Sequence, residues 1–235
     1  MREALLKDFV PHYMGFDHIT RNEIIDKHTT IFARELLASG NPNTAILLLD
    51  GTYIYIEKSK KYAFQRKSYS MYKGRPLVKP MMIIASDGYL IDILGPYFAD
   101  GRNNDAAILN KHLSKKDSHI LKWSEENDIL VLDRGFRDSL DLIESVGLRA
   151  ESPYFLSKGH KQHSVFEANA SRLVTKIRWA VESANGRIKK KWKFLDNVVP
   201  NTQVRFIGDY VRIVGSLINA FRPLLSTDTE NDLEI

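Results

Sequence analysis

The spacing of apolar and polar residues predicts a chain in which strands come first and then alternate with helices. The stretch 45–56, AILLLDGTYIYI, is apolar up to Asp50 and alternates after Gly51, which predicts a buried central strand. Further apolar runs predict strands at 80–85, 89–94, 129–132 and 153–156. The turn Ser86-Asp87-Gly88 joins the first two of these, so the sheet is expected to open as an antiparallel meander that Gly95-Pro96 ends.

Apolar residues at spacings of three and four predict the helices. The predicted segments lie within 1–40, 106–113, 139–146, 170–195 and 202–221. Because strands alternate with helices in the second half, we expect a mixed sheet covered by helices. The organisation this suggests is N-terminal helices over 1–40 packed on a domain spanning 41–225. The acidic tail 226–235 is expected to be disordered.

One aspartate lies within a predicted strand, and a second directly follows another strand. Asp50 lies in the central strand, and Asp133 follows the strand 129–132 and precedes Gly135, which permits a tight turn. A charge in a buried strand is costly unless it is paired or binds a metal ion. Asp50 is therefore either neutralised by a structural partner or a ligand in an active site. For Asp105, a place at the start of the helix 106–113 is the favoured interpretation.

The helix predicted over 170–195 combines a buried stripe with a basic face. The stripe consists of Leu173, Ile177, Ala180, Val181, Ala184, Ile188 and Trp192. A second stripe contains Arg178, Glu182, Asn185 and Lys189, and Glu182 is the only acidic residue between Glu167 and Asp196. Glu182 is either a structural ion pair with Arg178 or a metal ligand set in a phosphate-binding face. Gly186 lies in the middle of this helix, where glycine has a low helix propensity. Close approach of another backbone would explain a glycine at this position.

Residues 57–79 hold eight Lys or Arg and one Glu, with Tyr62, Phe64, Tyr69 and Tyr72 between them. One interpretation is a solvated hairpin whose lysines protect a sheet edge. The other is a phosphate-binding surface whose aromatic rings stack on bases. His160 and His163 are better explained as two solvated histidines than as a metal pair, since no third ligand is near.

Composition narrows the class of protein. The 235 residues include no cysteine, which excludes disulfides and thiolate metal sites and suits a reducing compartment. No apolar run approaches the ~20 residues of a membrane span, and the N-terminal sequence is not of the secretory type. The net charge of +5 is compatible with a polyanionic partner.

Three carboxylates from separate elements, Asp50, Asp133 and Glu182, can meet at the end of a sheet. Sites rich in oxygen ligands suit Mg²⁺ or Mn²⁺. Two such ions about 4 Å apart can activate an attacking oxygen and stabilise the leaving oxygen of a phosphodiester. The basic stretches explain why a polyanion would be present.

These motifs resemble the DDE superfamily of transposase nucleases, specifically its Harbinger-type group and domesticated relatives. The residues that carry the resemblance are Asp50-Gly51-Thr52, Gly101–Asp105, Asp133–Phe136 and Val181–Lys189, with 48 residues between Asp133 and Glu182. The resemblance covers about residues 40–225. It implies an RNase H-like fold with a five-stranded mixed sheet of order 3-2-1-4-5 flanked by helices.

The resemblance also implies a function. Asp50, Asp133 and Glu182 become a catalytic triad that binds a pair of Mg²⁺ or Mn²⁺ ions and cuts DNA, with strand transfer in a complete transposase. From the helix face, Arg178, Lys189, Lys190 and Lys191 are expected to contact backbone phosphates. The DNA substrate and the basic runs favour the nucleus. Asp105 matches a recurrent family aspartate whose role stays open.

One departure from the family concerns DNA reading. Residues 1–40 are too short and apolar for a helix-turn-helix module, so either the chain is a fragment or a separate Myb-like or helix-turn-helix partner recognises the sequence. A homodimer is expected by family analogy, and no membrane association is expected. Two alternatives stay open: a catalytically silent domain that binds DNA or protein, and an enzyme acting on RNA.

Overall fold

A mixed seven-stranded sheet forms the centre of the protein in the computed structural model, which describes residues 1–156, 159 and 162–226. The strands are β1 (Ile46–Gly51), β2 (Ile54–Tyr55), β3 (Tyr69–Ser70), β4 (Arg75–Ile84), β5 (Leu90–Phe98), β6 (Ile129–Val131) and β7 (Arg149–Glu151). β1 pairs antiparallel with β4 and parallel with β6, which pairs parallel with β7. β4 also pairs antiparallel with β2, β3 and β5. A mixed sheet was predicted, and the structure has one.

The predicted strand count and order need correction. The sheet order is β2-β4-β1-β6-β7, with β3 and β5 attached through β4, instead of five strands in the order 3-2-1-4-5. The observed sheet does contain the pairings β5–β4, β4–β1, β1–β6 and β6–β7. The count rises because β4 begins at Arg75, five residues before the predicted start, and its added length pairs with β2 and β3.

Three other predicted strand boundaries are wrong. The central strand predicted over 45–56 is divided, because β1 ends at Gly51 and residues 54–55 form the separate strand β2, which pairs with β4. β5 continues through Gly95-Pro96 to Phe98, because a register shift opposite Lys79–Met81 and the positive φ of Gly95 (+91°) accommodate the irregularity. Residues 153–156 form no strand, and the last strand, β7, ends at Glu151. Within the described chain no strand pairs with residues 153–156, so their apolar composition alone did not produce a strand.

Helices cover both faces of the sheet. They are α1 (Arg2–Ala4), α2 (Arg21–Glu23), α3 (Ile31–Ala38), α4 (Tyr62–Ser68), α5 (Asp105–Leu113), α6 (His119–Trp123), α7 (Leu140–Ser145), α8 (Val165–Lys191), α9 (Lys193–Asp196) and α10 (Ile207–Phe221). α1 and α2 continue as π-helical turns at Leu5–Phe9 and Ile24–His28, and the first is followed by a 3-10 turn at Val10–His12. Two more 3-10 turns, Arg134–Ser139 and Asn201–Phe206, precede α7 and α10.

Side-chain alternation along β1 divides the core into two layers. Ile46 and Leu48 face α8 and α10, whereas Leu47 and Leu49 face α5 and α7. Asp50 continues the even-numbered series and therefore faces α8. This parity explains how a carboxylate on the central strand reaches the side chains of the longest helix.

The N-terminal segment contributes to both layers. Val10 and Met14 belong to the α8 layer, and Phe16, Ile19 and Ile24 belong to the α5 layer. The division at residue 40 stays a prediction. The predicted tail lies outside the described residues except for Ser226. Within the described part of the chain, no helix combines the length and apolar character needed to cross a membrane.

Candidate active site

Asp50 and Asp133 lie at neighbouring ends of two adjacent parallel strands. In the β1–β6 register Ile46 faces Ile129 and Leu48 faces Val131. Extending this register by two residues places Asp133 beside Asp50. Oδ1 of Asp133 accepts a 2.8 Å hydrogen bond from the backbone of Gly135, which orients its carboxylate at the start of the 3-10 turn.

α8 brings three polar side chains to Asp50. Nδ2 of Asn185 donates a 2.8 Å hydrogen bond to Oδ2 of Asp50, and a guanidinium nitrogen of Arg178 lies 3.7 Å from Oδ1. The same guanidinium lies 3.9 Å from Glu182, whose side chain is 57% exposed. Arg178 and Asn185 are buried, so the polar stripe predicted on this helix faces the sheet at these two positions. The predicted apolar stripe is buried at Ile177, Ala180, Val181, Ala184 and Ile188, whereas Leu173 is exposed and its neighbour Val174 is buried instead.

Charge repulsion and burial act together on Asp50. Burial raises the pKa of Asp50 to about 7, against the attraction of Arg178, and the carboxylates of Asp133, Asp105 and Glu182 raise it further. The three predicted triad members are therefore close enough to interact electrostatically. They do not converge on one point: within the described ranges, no three His, Cys, Asp or Glu side chains are grouped so that they could hold a metal ion.

Asp105 is a fourth carboxylate of this site. Asn104 caps α5 and Asp105 occupies its first turn, as the sequence suggested. A Cβ on Gly51 would lie 2.7 Å from Oδ1 of Asp105, and one on Gly135 would lie 3.4 Å from its Oδ2. The two glycines therefore leave room for the Asp105 carboxylate between the strand ends that carry Asp50 and Asp133.

Lys79 neutralises Asp105 and was not singled out from the sequence. Its ammonium lies 2.7 Å from Oδ1 of Asp105 and donates a 2.9 Å hydrogen bond to the carbonyl of Asn103. Lys79 is buried, although lysine is rarely buried without a partner. Only its place in an otherwise apolar run, LVKPMMII, could have marked it in the sequence.

An open groove runs from the carboxylates along α8. Its volume is about 1130 Å³, and its lining includes Asp133, Glu182, Arg134, Arg172, Lys176 and the half-exposed Trp179. At the far end of α8, Lys190 and Lys191 are exposed, and burial lowers the pKa of the partly buried Lys189. The basic residues thus flank the acidic cluster on one helix.

Two further sequence predictions concern Gly186 in α8 and the histidines that precede this helix. A Cβ on Gly186 would meet no atom within 4 Å, so close packing of another part of the chain does not explain this glycine. His160 lies outside the described residues. His163 is 3.8 Å from Glu167 at the start of α8, away from the strand ends.

The donor set fits a hard divalent cation in its chemistry, because all candidate ligands are oxygen atoms. Its arrangement is more open than a metal site, since no three of the described carboxylates are grouped around one point. In addition, Oδ1 of Asn185 is buried and accepts no hydrogen bond within the described chain. This unsatisfied acceptor lies on the side chain that contacts Asp50, where a cation or water would satisfy it.

A mixed sheet flanked by helices, with carboxylates at the ends of adjacent strands, is consistent with a nuclease of the DDE type. Residues 49–219 match a family model described as DDE superfamily endonuclease. The match covers well over half of the chain, and the chain therefore belongs to this family. No curated protein matched. Enzymes of this superfamily generally use divalent metal ions, and Asp50, Asp133 and Glu182 all lie within the matched residues.

Proposed function

We propose that this chain is the catalytic domain of a divalent-metal-dependent DNA endonuclease or transposase of the Harbinger-type group, with an RNase H-like fold. Its proposed triad is Asp50, Asp133 and Glu182. The observation that supports the proposal is the parallel pairing of β1, which carries Asp50, with β6, which leads into Asp133, together with the hydrogen bond from Asn185 of α8 to Asp50. The family match over residues 49–219 supports the same class of chemistry.

In this proposal the acidic side chains hold Mg²⁺ or Mn²⁺ as a two-ion site, with Asp50 as the most enclosed ligand. The bound ions would supply activation of the attacking oxygen and stabilisation of the leaving oxygen. The chain itself limits water access to Asp50 and holds both oxygens of that carboxylate through Asn185 and Arg178. Binding of metal and substrate would have to break part of the contacts that Asn185 and Arg178 make with Asp50.

The proposed DNA path follows α8. Lys189, Lys190 and Lys191 would contact backbone phosphates, and the groove lined by Arg172 and Lys176 would continue the basic track. Arg178 was predicted as a fourth phosphate contact, but its guanidinium faces Asp50 and Glu182. A phosphate contact by Arg178 stays a prediction that requires it to leave one of these carboxylates.

The cellular setting follows from the substrate. We propose residence in the nucleus. Residues 1–40 pack into the core layers, so we propose that sequence recognition comes from outside the described residues, either from a separate Myb-like or helix-turn-helix protein or from a further part of a longer chain. A homodimer is proposed for strand transfer, which joins two DNA molecules.

A catalytically silent DNA-binding domain is the second candidate. One observation favours it: Asp50 is held by Arg178 and Asn185, and Asp105 by Lys79, so the acidic cluster is partly compensated without a metal ion. A domain that only binds DNA would use the basic surfaces and leave the carboxylates as an internal ion-pair network.

Nicking of supercoiled plasmid by the purified chain distinguishes the two candidates. The assay compares Mg²⁺, Mn²⁺ and EDTA for the wild-type protein, Asp133→Asn and Glu182→Gln. Asp117→Asn is the matched control, because this carboxylate is exposed and forms its ion pair with the exposed Lys122. For the enzyme we expect metal-dependent nicking that both site variants lose and the control keeps.

Salt-dependent DNA binding without nicking in any metal would overturn the catalytic proposal and favour the silent domain. Nicking that survives in both site variants would instead point to a contaminating nuclease. An RNA strand cut faster than the matched DNA strand would reassign the substrate.

A further inference from the structure

A second pocket adjoins the acidic cluster. It is formed by α4, the turn between β3 and β4, and residues 99–104, and its volume is about 830 Å³. Three of its lining residues are tyrosines from one short stretch of chain: Tyr62, Tyr69 and Tyr72. We call it the tyrosine pocket. None of the proposed triad residues or lysines of α8 lines it.

The aromatic side chains of this pocket are not part of the core. Tyr62 is 78% exposed and Tyr72 is 84% exposed, and the neighbouring Met71 is 87% exposed. By contrast, Phe64 of the same stretch packs edge-on against Phe98 and joins the α8 core layer. Phe64 is thus the aromatic residue of this stretch that packs in the core. Core packing does not explain the exposed tyrosines, and a bound ligand would.

Basic side chains surround the tyrosines. Arg66, Lys67 and Arg102 line the pocket, and none of them forms an ion pair with a described carboxylate. Asp100 is the acidic residue of the lining, and it accepts a hydrogen bond from Asn103. Lys73 lies between two rings, 4.6 Å from the centre of Tyr72 and 4.9 Å from that of Tyr53. Positive charge beside exposed aromatic faces suits a nucleotide strand.

The tyrosine pocket is continuous with the candidate active site. Lys79 and Tyr53 belong to its lining, and the ammonium of Lys79 lies 2.7 Å from Asp105. Burial and then the charges of Asp105, Asp50 and Asp133 raise the pKa of Tyr53 to about 12, so its ring lies near the acidic cluster. A strand bound in the pocket would therefore end close to these carboxylates.

We propose that the tyrosine pocket binds unpaired nucleotides of a DNA strand next to the phosphate that is cut, with Tyr62 and Tyr72 stacking on bases and Arg66, Lys67 and Arg102 contacting phosphates. This inference rests on the proposed function and adds a substrate subsite to it. A paired duplex keeps its bases stacked on one another and offers mainly phosphates, so it cannot use exposed rings in this way. A strand with splayed bases can.

Equilibrium binding in EDTA tests the inference independently of cleavage. The probes are a fluorescent blunt duplex and the same duplex with an unpaired extension of about 8 nucleotides, within the usual range for aromatic single-strand sites. In the double variant Tyr62→Ala/Tyr72→Ala, we expect the extended duplex to bind at least about tenfold more weakly, given 1–3 kcal/mol for each stacked base. Binding of the blunt duplex should change less than about twofold.

Phe221→Ala is the matched control, because Phe221 is an exposed aromatic residue at the end of α10 and does not line the pocket. Thermal melting of all variants checks that they fold, which their exposed positions favour. A 2-aminopurine base in the extension gives a second readout: its fluorescence should be quenched by the wild-type protein and not by the double variant.

The two proposals fail in different ways. Equal weakening of both probes would show a general basic surface and overturn the pocket, and so would unchanged binding of both. A stronger effect on an RNA extension than on DNA would overturn the choice of strand. If plasmid nicking is absent but binding of the extended duplex depends on Tyr62 and Tyr72, the result supports the tyrosine pocket as a binding site and contradicts the catalytic proposal.

Discussion

Nδ2 of Asn185 on α8 donates a 2.8 Å hydrogen bond to Oδ2 of Asp50 on β1, across 135 residues of sequence. The other oxygen of Asp50 lies 3.7 Å from Arg178, about two turns earlier on the same helix. The longest helix is thus tied to the central strand through a carboxylate that is only 18% exposed. Whether Asp50 is charged consequently affects both the stability of the fold and the candidate chemistry.

Asp50→Asn is expected to stabilise the protein above neutral pH. The folded state raises the pKa of Asp50 from 3.8 to about 7 and so binds its proton more tightly than the unfolded chain does. This contribution to stability is fully present below pH 3.8 and is lost as the pH rises through about 7. The shift corresponds to on the order of 4 kcal/mol. Urea unfolding at pH 4 and pH 8 measures it, and the variant should exceed wild type at pH 8 only.

Divalent cations provide the complementary measurement. If Asp50 ligates a metal ion, saturating Mg²⁺ or Mn²⁺ raises the unfolding free energy of wild type at pH 8, by about 2.7 kcal/mol at a hundred times the dissociation constant. Asp50→Asn should show little of this gain. A variant that is less stable than wild type at pH 8, with or without metal, would instead make Asp50 a purely structural partner of Arg178.

Removal of Lys79 is expected to be costly because its partner stays buried. Lys79→Met leaves the Asp105 carboxylate, only 17% exposed, without its cation and close to Asp50. Loss of one partner of a buried pair typically costs about 3–5 kcal/mol. Chemical denaturation at pH 7 measures this loss, and Lys79→Met/Asp105→Asn should recover much of it because both charges are then gone. If the double variant is as unstable as the single one, packing by the lysine stem is responsible.

The central strand and its aspartate were predictable because they rest on local pattern. The apolar run before Asp50, followed by Gly51, predicted a buried strand whose carboxylate needs a partner, and β1 has both features. Asp105 was likewise placed at the start of a helix by its neighbouring asparagine. In each case the residues that decide the structure lie within a few positions of one another.

The parts that depend on distant pairing were not predictable. The extension of β4 to Arg75 depends on β2 and β3 lying alongside it, and Lys79 is tolerated within β4 only because Asp105 reaches it from α5. The burial of Arg178 similarly requires Asp50, 128 positions earlier. A single sequence gives each of these residues but not its distant partner, so the contact of Arg178 with Asp50 was not predicted.

Gly186→Ala and Gly51→Ala are expected to have opposite effects. Gly186 lies within α8, and an added Cβ meets no atom within 4 Å, so the substitution should stabilise the protein by about 1 kcal/mol through helix propensity. At Gly51 the Cβ would lie 2.7 Å from the Asp105 carboxylate that Lys79 holds, so we expect a loss of about 1–3 kcal/mol. Thermal and urea unfolding of both variants measure the two effects. A destabilised Gly186→Ala would reveal a contact of α8 that the open space around this glycine does not suggest.

Arg21→Ala tests whether the N-terminal helices are part of the folding unit. The Asp128 side chain is fully buried and accepts hydrogen bonds from Nε and a terminal nitrogen of Arg21 at 2.8 and 2.7 Å, and from the backbone of Ala45 at 2.9 Å. Arg21 therefore links the segment before β1 to the residue that directly precedes β6. Without the guanidinium, Asp128 remains as a buried charge, and we expect a loss of about 3–5 kcal/mol.

Lys27→Ala is the control for Arg21→Ala, because Lys27 pairs with Glu23 in solvent, where such a pair contributes less than about 1 kcal/mol. Urea unfolding followed by tryptophan fluorescence and by circular dichroism should give one transition for each protein, shifted strongly only in Arg21→Ala. A large separate transition in wild type, unaffected by Arg21→Ala, would mean that residues 1–40 unfold on their own. A single cooperative transition would instead make these helices a structural part of the domain that holds Asp50 and Asp133.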